Sequence, residues 1–201
     1  NLRVENLLFQ SGYLTIKDYK VIGNKNVFTL SYPNLEVRIS FNDIFLIYLF
    51  KDDVNLNTLK FETSIITILE KKEIDKLKDI LQSFFASIPH DWYRKNDIDS
   101  YEGFYASVVY ALFNGAGLNA IAEDTTSKGR IDLSIILKDT VYIIEFKVVE
   151  NKATNDALSQ IKDKKYYEKY KGSYKDIYLI GIEFSKSERN VVGFSWEKGD
   201  C

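Results

Sequence analysis

Two apolar runs, Arg130–Leu137 and Val141–Val149, follow each other across the short polar break Lys138–Thr140. No other feature limits so strictly what this chain can become. Side chains alternate between the two faces of a strand. In the first run Ile131, Leu133, Ile135 and Leu137 fall on one face, and Asp132, Ser134 and Ile136 on the other. In the second, Tyr142, Ile144, Phe146 and Val148 share a face opposite Val141, Ile143, Glu145, Lys147 and Val149. Each strand thus has one wholly apolar face, and its charges interrupt only the other. A two-residue turn at Lys138–Asp139 pairs Leu137 with Thr140 and sets Asp132 opposite Glu145. A slip of one residue would carry Glu145 into the apolar face, so the hydrophobic pattern itself selects this register.

Two opposed carboxylates repel, and one of them holds its proton unless positive charge compensates. Lys147, two residues beyond Glu145 on the same face, compensates in part. A divalent cation compensates better, since Mg²⁺ is typically held by one or two carboxylates with water and substrate phosphates. Asp132 and Glu145 are therefore read as metal ligands, with Lys147 beside a reacting phosphate. A surface ladder, in which Asp132 pairs with Lys147 and Glu145 faces water, is the competing reading. The surrounding Ile143, Ile144, Phe146, Val148 and Val149 argue for a central strand, where lone solvated charges are unusual.

The flanking patterns predict alternating helices and strands. Asp97–Phe113 reads as a helix with Tyr101, Phe104, Tyr105, Val108 and Leu112 on one stripe, ended by Gly115 and Gly117. Leu118–Glu123 reads as a strand, Thr154–Lys171 as a helix closed by Gly172, and Asp176–Glu183 and Asn190–Trp196 as two further strands. Upstream, Tyr13–Tyr19 and Val27–Tyr32 read as short strands around Gly23–Asn24. Ser40–Phe50 is apolar almost all round and is either a buried helix or a strand. Glu73–Ile88 carries Ile74, Leu77, Leu81, Phe84 and Ile88 at helical spacing and stops at Pro89.

Composition removes several function classes. The chain has 201 residues, 45% hydrophobic and 28% charged, too apolar for disorder. No apolar stretch approaches the roughly 18 residues of a membrane helix, so no membrane partner is expected. Cys201 is the only cysteine, which excludes an internal disulfide and a cysteine-based zinc cluster, and His90 is the only histidine, which excludes a multi-histidine metal site. His90 reads as a linker residue, and Trp92 and Trp196 as packing residues. With no secretory leader at its start and a cysteine usage that fits a reducing compartment, the chain is expected to be cytoplasmic. Net charge is −2, so no whole-molecule basic field announces nucleic-acid binding. The absence of methionine suggests a fragment of a longer protein.

Gly-Arg-Ile-Asp at 129–132, Glu-Phe-Lys at 145–147 and a following helix with Gln160 resemble the PD-(D/E)xK nuclease superfamily. Within it, Phe9–Thr15, Tyr32–Arg38, Phe84–Pro89, Tyr101–Ser107 and Lys164–Tyr170 resemble segments of a prokaryotic family that joins an AAA-ATPase-like N-terminal domain to a nuclease-like one. The proline of the superfamily's name is replaced by Ile131. No Gly-x-x-x-x-Gly-Lys-Ser/Thr phosphate loop occurs, so the ATPase core is absent from this chain.

The resemblance implies an α/β fold: a restriction-endonuclease-like core (αβββαβ, mixed sheet) over residues 91–201, preceded by a smaller, mainly helical accessory region over residues 1–90. It implies Asp132 and Glu145 as ligands of Mg²⁺, with Mn²⁺ as a substitute. The Phe146 carbonyl would be a third ligand and Glu102 the acid completing the shell. Lys147 would orient the attacking water or stabilise developing charge. Glu102 also occupies the N3 position of a capping box with Asp99, and one residue can serve both roles. Glu123 reads as a strand-end charge, and Arg130 as a strand-start residue near solvent. On the second helix, Gln160, Lys164 and Tyr167 lie at i, i+4 and i+7 on one face. Gln160 is expected at the active site. Lys164, Lys165 and Tyr167 are candidate nucleic-acid contacts, set against a solvated basic face with Tyr167 packed on the sheet. The implied activity is metal-dependent hydrolysis of phosphodiester bonds in nucleic acid, DNA before RNA, in partnership with the ATPase-like domain. A nuclease fold that binds DNA or a partner without catalysis is the alternative.

Overall fold

The computed structural model describes residues 3–50, 55–89 and 102–199. His90, Trp92, Asp99, Tyr101 and Cys201 lie outside the described residues. A short helix α1 (Val4–Gln10) leads into a two-stranded hairpin of β1 (Thr15–Ile22) and β2 (Lys25–Ser31). Three helices follow: α2 (Leu35–Phe50), α3 (Asn55–Lys71) and α4 (Asp75–Ala86). Then come α5 (Glu102–Gly115), β3 (Asn119–Thr126), β4 (Gly129–Leu137) and β5 (Thr140–Val149). Helix α6 (Asp156–Asp163), a 3₁₀ turn (Tyr166–Lys169), β6 (Asp176–Ser185) and β7 (Asn190–Lys198) complete the chain.

The sheet runs β3-β4-β5-β6-β7, with β5 and β6 parallel and every other pair antiparallel. This is the expected α/β architecture, a five-stranded mixed sheet with a largely helical region before it. The β4–β5 register is the one the apolar pattern selects: Leu137 faces Thr140 and Leu133 faces Ile144. Ser40–Phe50 resolves as helix, because Asn42, Leu46 and Leu49 bury one stripe.

Helix α3 has no counterpart among the sequence expectations. Its Thr63–Ser64–Ile65–Ile66–Thr67 stretch is rich in β-branched residues of low helix propensity. Burial of Ile65, Ile68 and Leu69 overrides that preference, and the Thr63 and Thr67 hydroxyls donate to carbonyls four residues back.

The two faces of the sheet carry different cores. On one, Leu133, Ile135, Tyr142, Ile144, Phe146, Ile180, Ile182 and Phe184 pack with residues of α2–α5; the Tyr105 ring stacks on Phe184 at 4.3 Å. On the other, Val141, Ile143, Ile177 and Leu179 pack beneath Ile161 of α6 and Tyr166 and Tyr170 of the turn after it. Glu145 and Lys147 belong to this second face.

The second helix departs from its expected length. It ends at Asp163, and Lys165 takes a left-handed conformation (φ 49°) before the 3₁₀ turn. Gln160, Lys164 and Tyr167 therefore do not share one helical face. The reversal lets Tyr166 and Tyr170 both turn under the sheet, each no more than 5% exposed, while Tyr167 is half-buried against the same core.

Candidate active site

The site begins with a fault in the sheet at Asp132. The β4–β5 ladder stops at Leu133–Ile144, and the β3–β4 ladder skips the Glu123–Asp132 pair, where Glu123 adopts φ +52°. Side chains substitute for the missing ladder bonds. The Asp132 N–H donates to Glu145 Oε1 (3.3 Å), and the Phe146 N–H donates to Asp132 Oδ2 (2.9 Å). The two carboxylates thus interlock across the point where the strands part.

The same fault changes which way residues point. Regular alternation would keep Ile131 with Leu133, but Ile131 is fully buried in the second core and Leu133 in the first. The sequence expectation for Ile131 is thereby corrected. The irregularity turns Asp132 toward a cleft of about 450 Å³ between α5 and β3, lined also by Glu102, Ala106, Tyr110, Ala122 and Glu123.

Glu145 is fully buried, and its carboxyl stays in hydrogen-bond contact with that of Asp132. A glycine explains what covers it. Gly181 stands beside Glu145 on β6, and a Cβ there would lie 2.4 Å from the Leu158 backbone nitrogen. Only glycine lets α6 approach so closely. That approach brings Gln160 Nε2 to 2.8 Å from Glu145 Oε2. Gln160 in turn hydrogen-bonds the Tyr166 hydroxyl. Glu183, two residues after Gly181, accepts from the Thr154 N–H and hydroxyl and from the Ala157 N–H, so it caps the start of α6 across the sheet.

Burial pushes the Glu145 carboxyl up to about 9, aided by the negative charge and hydrogen bonding of Asp132 and only partly opposed by Lys147. Without further positive charge, Glu145 is neutral at pH 7. Lys147 Nζ lies 3.8 Å from Glu102 Oε2. Burial raises the Glu102 carboxyl, Lys147 lowers it, Asp132 raises it, and a hydrogen bond from the Val148 N–H lowers it again. Among the described residues no group of three or more Asp, Glu, His or Cys side chains is drawn together as a metal-ligand set. At the strand fault the acidic side chains are the Asp132–Glu145 pair, with Glu102 nearby and paired to Lys147.

Glu123 lines the cleft but pairs with Arg130 at 2.7 Å, and both are exposed. Lys164 and Lys165 border a depression of about 300 Å³ with Thr125–Lys128 and Tyr166.

Three residues of this environment carry no role in the sequence reading. Tyr166 depends on the helix break, which periodicity does not show. Gly181 was visible as a glycine inside an apolar strand, the usual sign of close backbone approach. Asp124, buried on β3, accepts from Ser134 Oγ (2.9 Å), the Tyr170 hydroxyl and Lys169, and so ties the 3₁₀ turn to β3 and β4. Nothing in the local sequence marks it.

A family model for the PD-(D/E)XK nuclease superfamily matches residues 100–194. The chain is also 43% identical, over 194 residues, to an "uncharacterized protein in vnfD 5′region" of Azotobacter chroococcum mcd 1. That similarity covers 96% of the chain and 37% of the relative, so the chain spans little more than a third of that curated relative's length. No solved structure matches significantly.

Proposed function

We propose that this chain is a metal-dependent nuclease of the PD-(D/E)XK superfamily that hydrolyses phosphodiester bonds of nucleic acid, DNA in the first place. The interlocked Asp132–Glu145 pair at the strand fault carries the reading. It falls inside the matched segment, and the buried, neutralised Glu145 is an acid poised to exchange its proton for a cation.

The donor set fits Mg²⁺ or Mn²⁺. It consists of carboxylate oxygens, each with lone pairs left after its hydrogen bonds, and a main-chain carbonyl at Phe146, where a strand residue directs N–H and C=O toward the same neighbour. When bound, the ion lowers the pKa of an attacking water and offsets charge developing on the phosphate. Gln160 orients the Glu145 carboxylate through its amide. Lys147 supplies a fixed positive charge at the cleft, where it favours the more highly charged transition state. Glu102 holds the Lys147 ammonium and accepts a proton at the cleft wall. Lys164 and Lys165 contact the substrate backbone, with Tyr167 packed behind them.

We assign residues 1–90 as the accessory region and 91–201 as the nuclease-like domain of a longer cytoplasmic protein, in which an AAA-ATPase-like domain precedes this chain. The relative is longer than this chain, which leaves room for a further domain on either side of the matched part. No described helix is long and apolar enough to cross a membrane.

The test compares wild type with Asp132→Ala. Wild type is expected to bind Mn²⁺ and cleave labelled DNA, and the variant to lose both while keeping its fold. Cleavage by Asp132→Ala at the wild-type rate refutes the site. Wild-type DNA binding without Mn²⁺ binding or cleavage favours the non-catalytic module instead.

A further inference from the structure

A second, larger groove adjoins the carboxylate cleft. It has a volume of about 910 Å³ and runs between the β1–β2 hairpin, the start of α2 and the free edge of β3. Tyr110 and Ala122 line both spaces, so the two are neighbours. The contents of the two differ sharply. The cleft holds Glu102, Glu123 and Asp132, whereas no Asp or Glu is among the described residues lining the groove.

Two cations line it, Lys17 and Arg38, and neither has a carboxylate partner among the described residues. Arg38 is half-buried. One of its terminal nitrogens donates to the Leu118 carbonyl (3.2 Å), and its Nε is buried without a partner. A guanidinium stays charged at any ordinary pH, and leaving its donors unmatched away from water is unfavourable. An anion in the groove answers both conditions. Two aromatic rings stand beside this charge: Tyr32, tilted against Phe41 at 5.9 Å, and Tyr110. Unpaired cations interleaved with tyrosines are the elements of a single-strand track, in which phosphates meet charge and bases meet rings.

We propose that a single-stranded segment of the substrate lies in this groove, with a phosphate on Arg38 and Lys17 and bases against Tyr32 and Tyr110, and passes along the edge of β3 to the carboxylates. This deepens the nuclease reading and rests on it. It gives the accessory region a role in substrate binding, and it makes a frayed or single-stranded end the preferred substrate.

The test is fluorescence anisotropy with a 5′-labelled oligo(dT) strand and a blunt hairpin duplex in EDTA, across a salt series. Wild type is compared with Arg38→Gln and with Lys17→Glu. The Lys17 side chain is exposed on the hairpin, so its reversal does not disturb the core. Each variant is expected to bind the single strand at least about fivefold more weakly, with a smaller change for the duplex. The log–log salt slope of Arg38→Gln is expected to fall by about 0.7, one single-strand phosphate contact. Unchanged single-strand affinity and salt slope in both variants overturns the groove. Mn²⁺ binding and hydrolysis of bis(p-nitrophenyl) phosphate by wild type are measured alongside. If wild type shows both while the variants bind the strand normally, the groove alone is wrong. If wild type shows neither, the nuclease reading falls and the groove falls with it.

Discussion

Replacing Glu145 with glutamine should make the metal-free protein more stable, although it removes a proposed catalytic ligand. Glu145 is fully buried, and its carboxyl is pushed from an ordinary 4.5 to about 9. At pH 7.5 the unfolded chain ionises this side chain freely while the folded chain keeps it protonated. The gap is three pH units, a ceiling of about 4 kcal/mol favouring the unfolded state. The direction follows from linkage: the folded state binds the proton more tightly, so stability falls as pH rises from about 4.5 toward 9. Glutamine has nearly the same shape and no proton to lose, so the variant lacks that slope. Its amide oxygen accepts from the Asp132 N–H, and its NH2 donates once the Gln160 amide turns to present its oxygen. Relaxation of the buried site reduces the gain to about 1–3 kcal/mol at pH 7.5.

Urea unfolding in EDTA, followed by tryptophan fluorescence, measures this. Trp196 reports on the fold because its indole N–H donates to Asp75 Oδ1 and its ring packs on Tyr178. At pH 5.5 the ceiling shrinks to about 1 kcal/mol, so the two proteins should converge on acidification. Added Mn²⁺ should reverse the order, because binding to the folded state stabilises wild type alone. A variant less stable than wild type at pH 7.5, or a difference that does not change with pH, would refute the reasoning.

Two further outcomes are expected. Gln160→Ala removes the amide that holds Glu145 Oε2 and should weaken Mn²⁺ binding by about 10–100-fold by calorimetry, with a stability change of about 1 kcal/mol. Asp124→Asn should destabilise the fold by about 2–3 kcal/mol in thermal or urea unfolding, because it leaves Lys169 without its counter-charge and weakens the hydrogen bonds to Tyr170 and Ser134. The pH dependence of Asp124 runs opposite to that of Glu145. Burial alone would raise its carboxyl, but hydrogen bonds from Lys169, Tyr170 and Ser134 hold it below the usual 3.8. Its contribution is therefore present above pH 3.8 and lost as pH falls through its folded value, so the deficit of the variant should shrink only in acid.

The legible and the illegible parts of this chain divide along a physical line. The β4–β5 register was legible because only one alignment keeps Tyr142, Ile144 and Phe146 off the charged face. The helix Glu73–Ile88 was legible for the same reason at a different period, and α4 buries Leu77, Leu81 and Phe84 from that stripe. Both follow from local alternation, which repeats and so averages over error. What was not legible rests on single events enforced from elsewhere. Lys165 leaves the helical conformation because Tyr166 and Tyr170 find burial under the sheet, and helix α3 forms against its own propensities because Ile65, Ile68 and Leu69 complete a core.

The fault at Asp132 is the most consequential of these events, and it gives two carboxylates that touch each other unlike surroundings. In a regular strand Asp132 would stand with Ser134 and Glu145 on the face covered by α6, where two buried acids share one poor environment. The break sends Ile131 into that core instead and turns Asp132 to the open cleft, while Glu145 stays sealed behind Gln160. One carboxylate is then accessible to solvent and ligand, and the other is a buried acid held as a neutral partner. The missing ladder bonds that this requires are replaced by the carboxylates themselves, through the Asp132 and Phe146 N–H groups. Periodicity placed these residues across from each other. The departure from periodicity gives them different chemistry, and a departure at one residue leaves no repeating trace in a sequence.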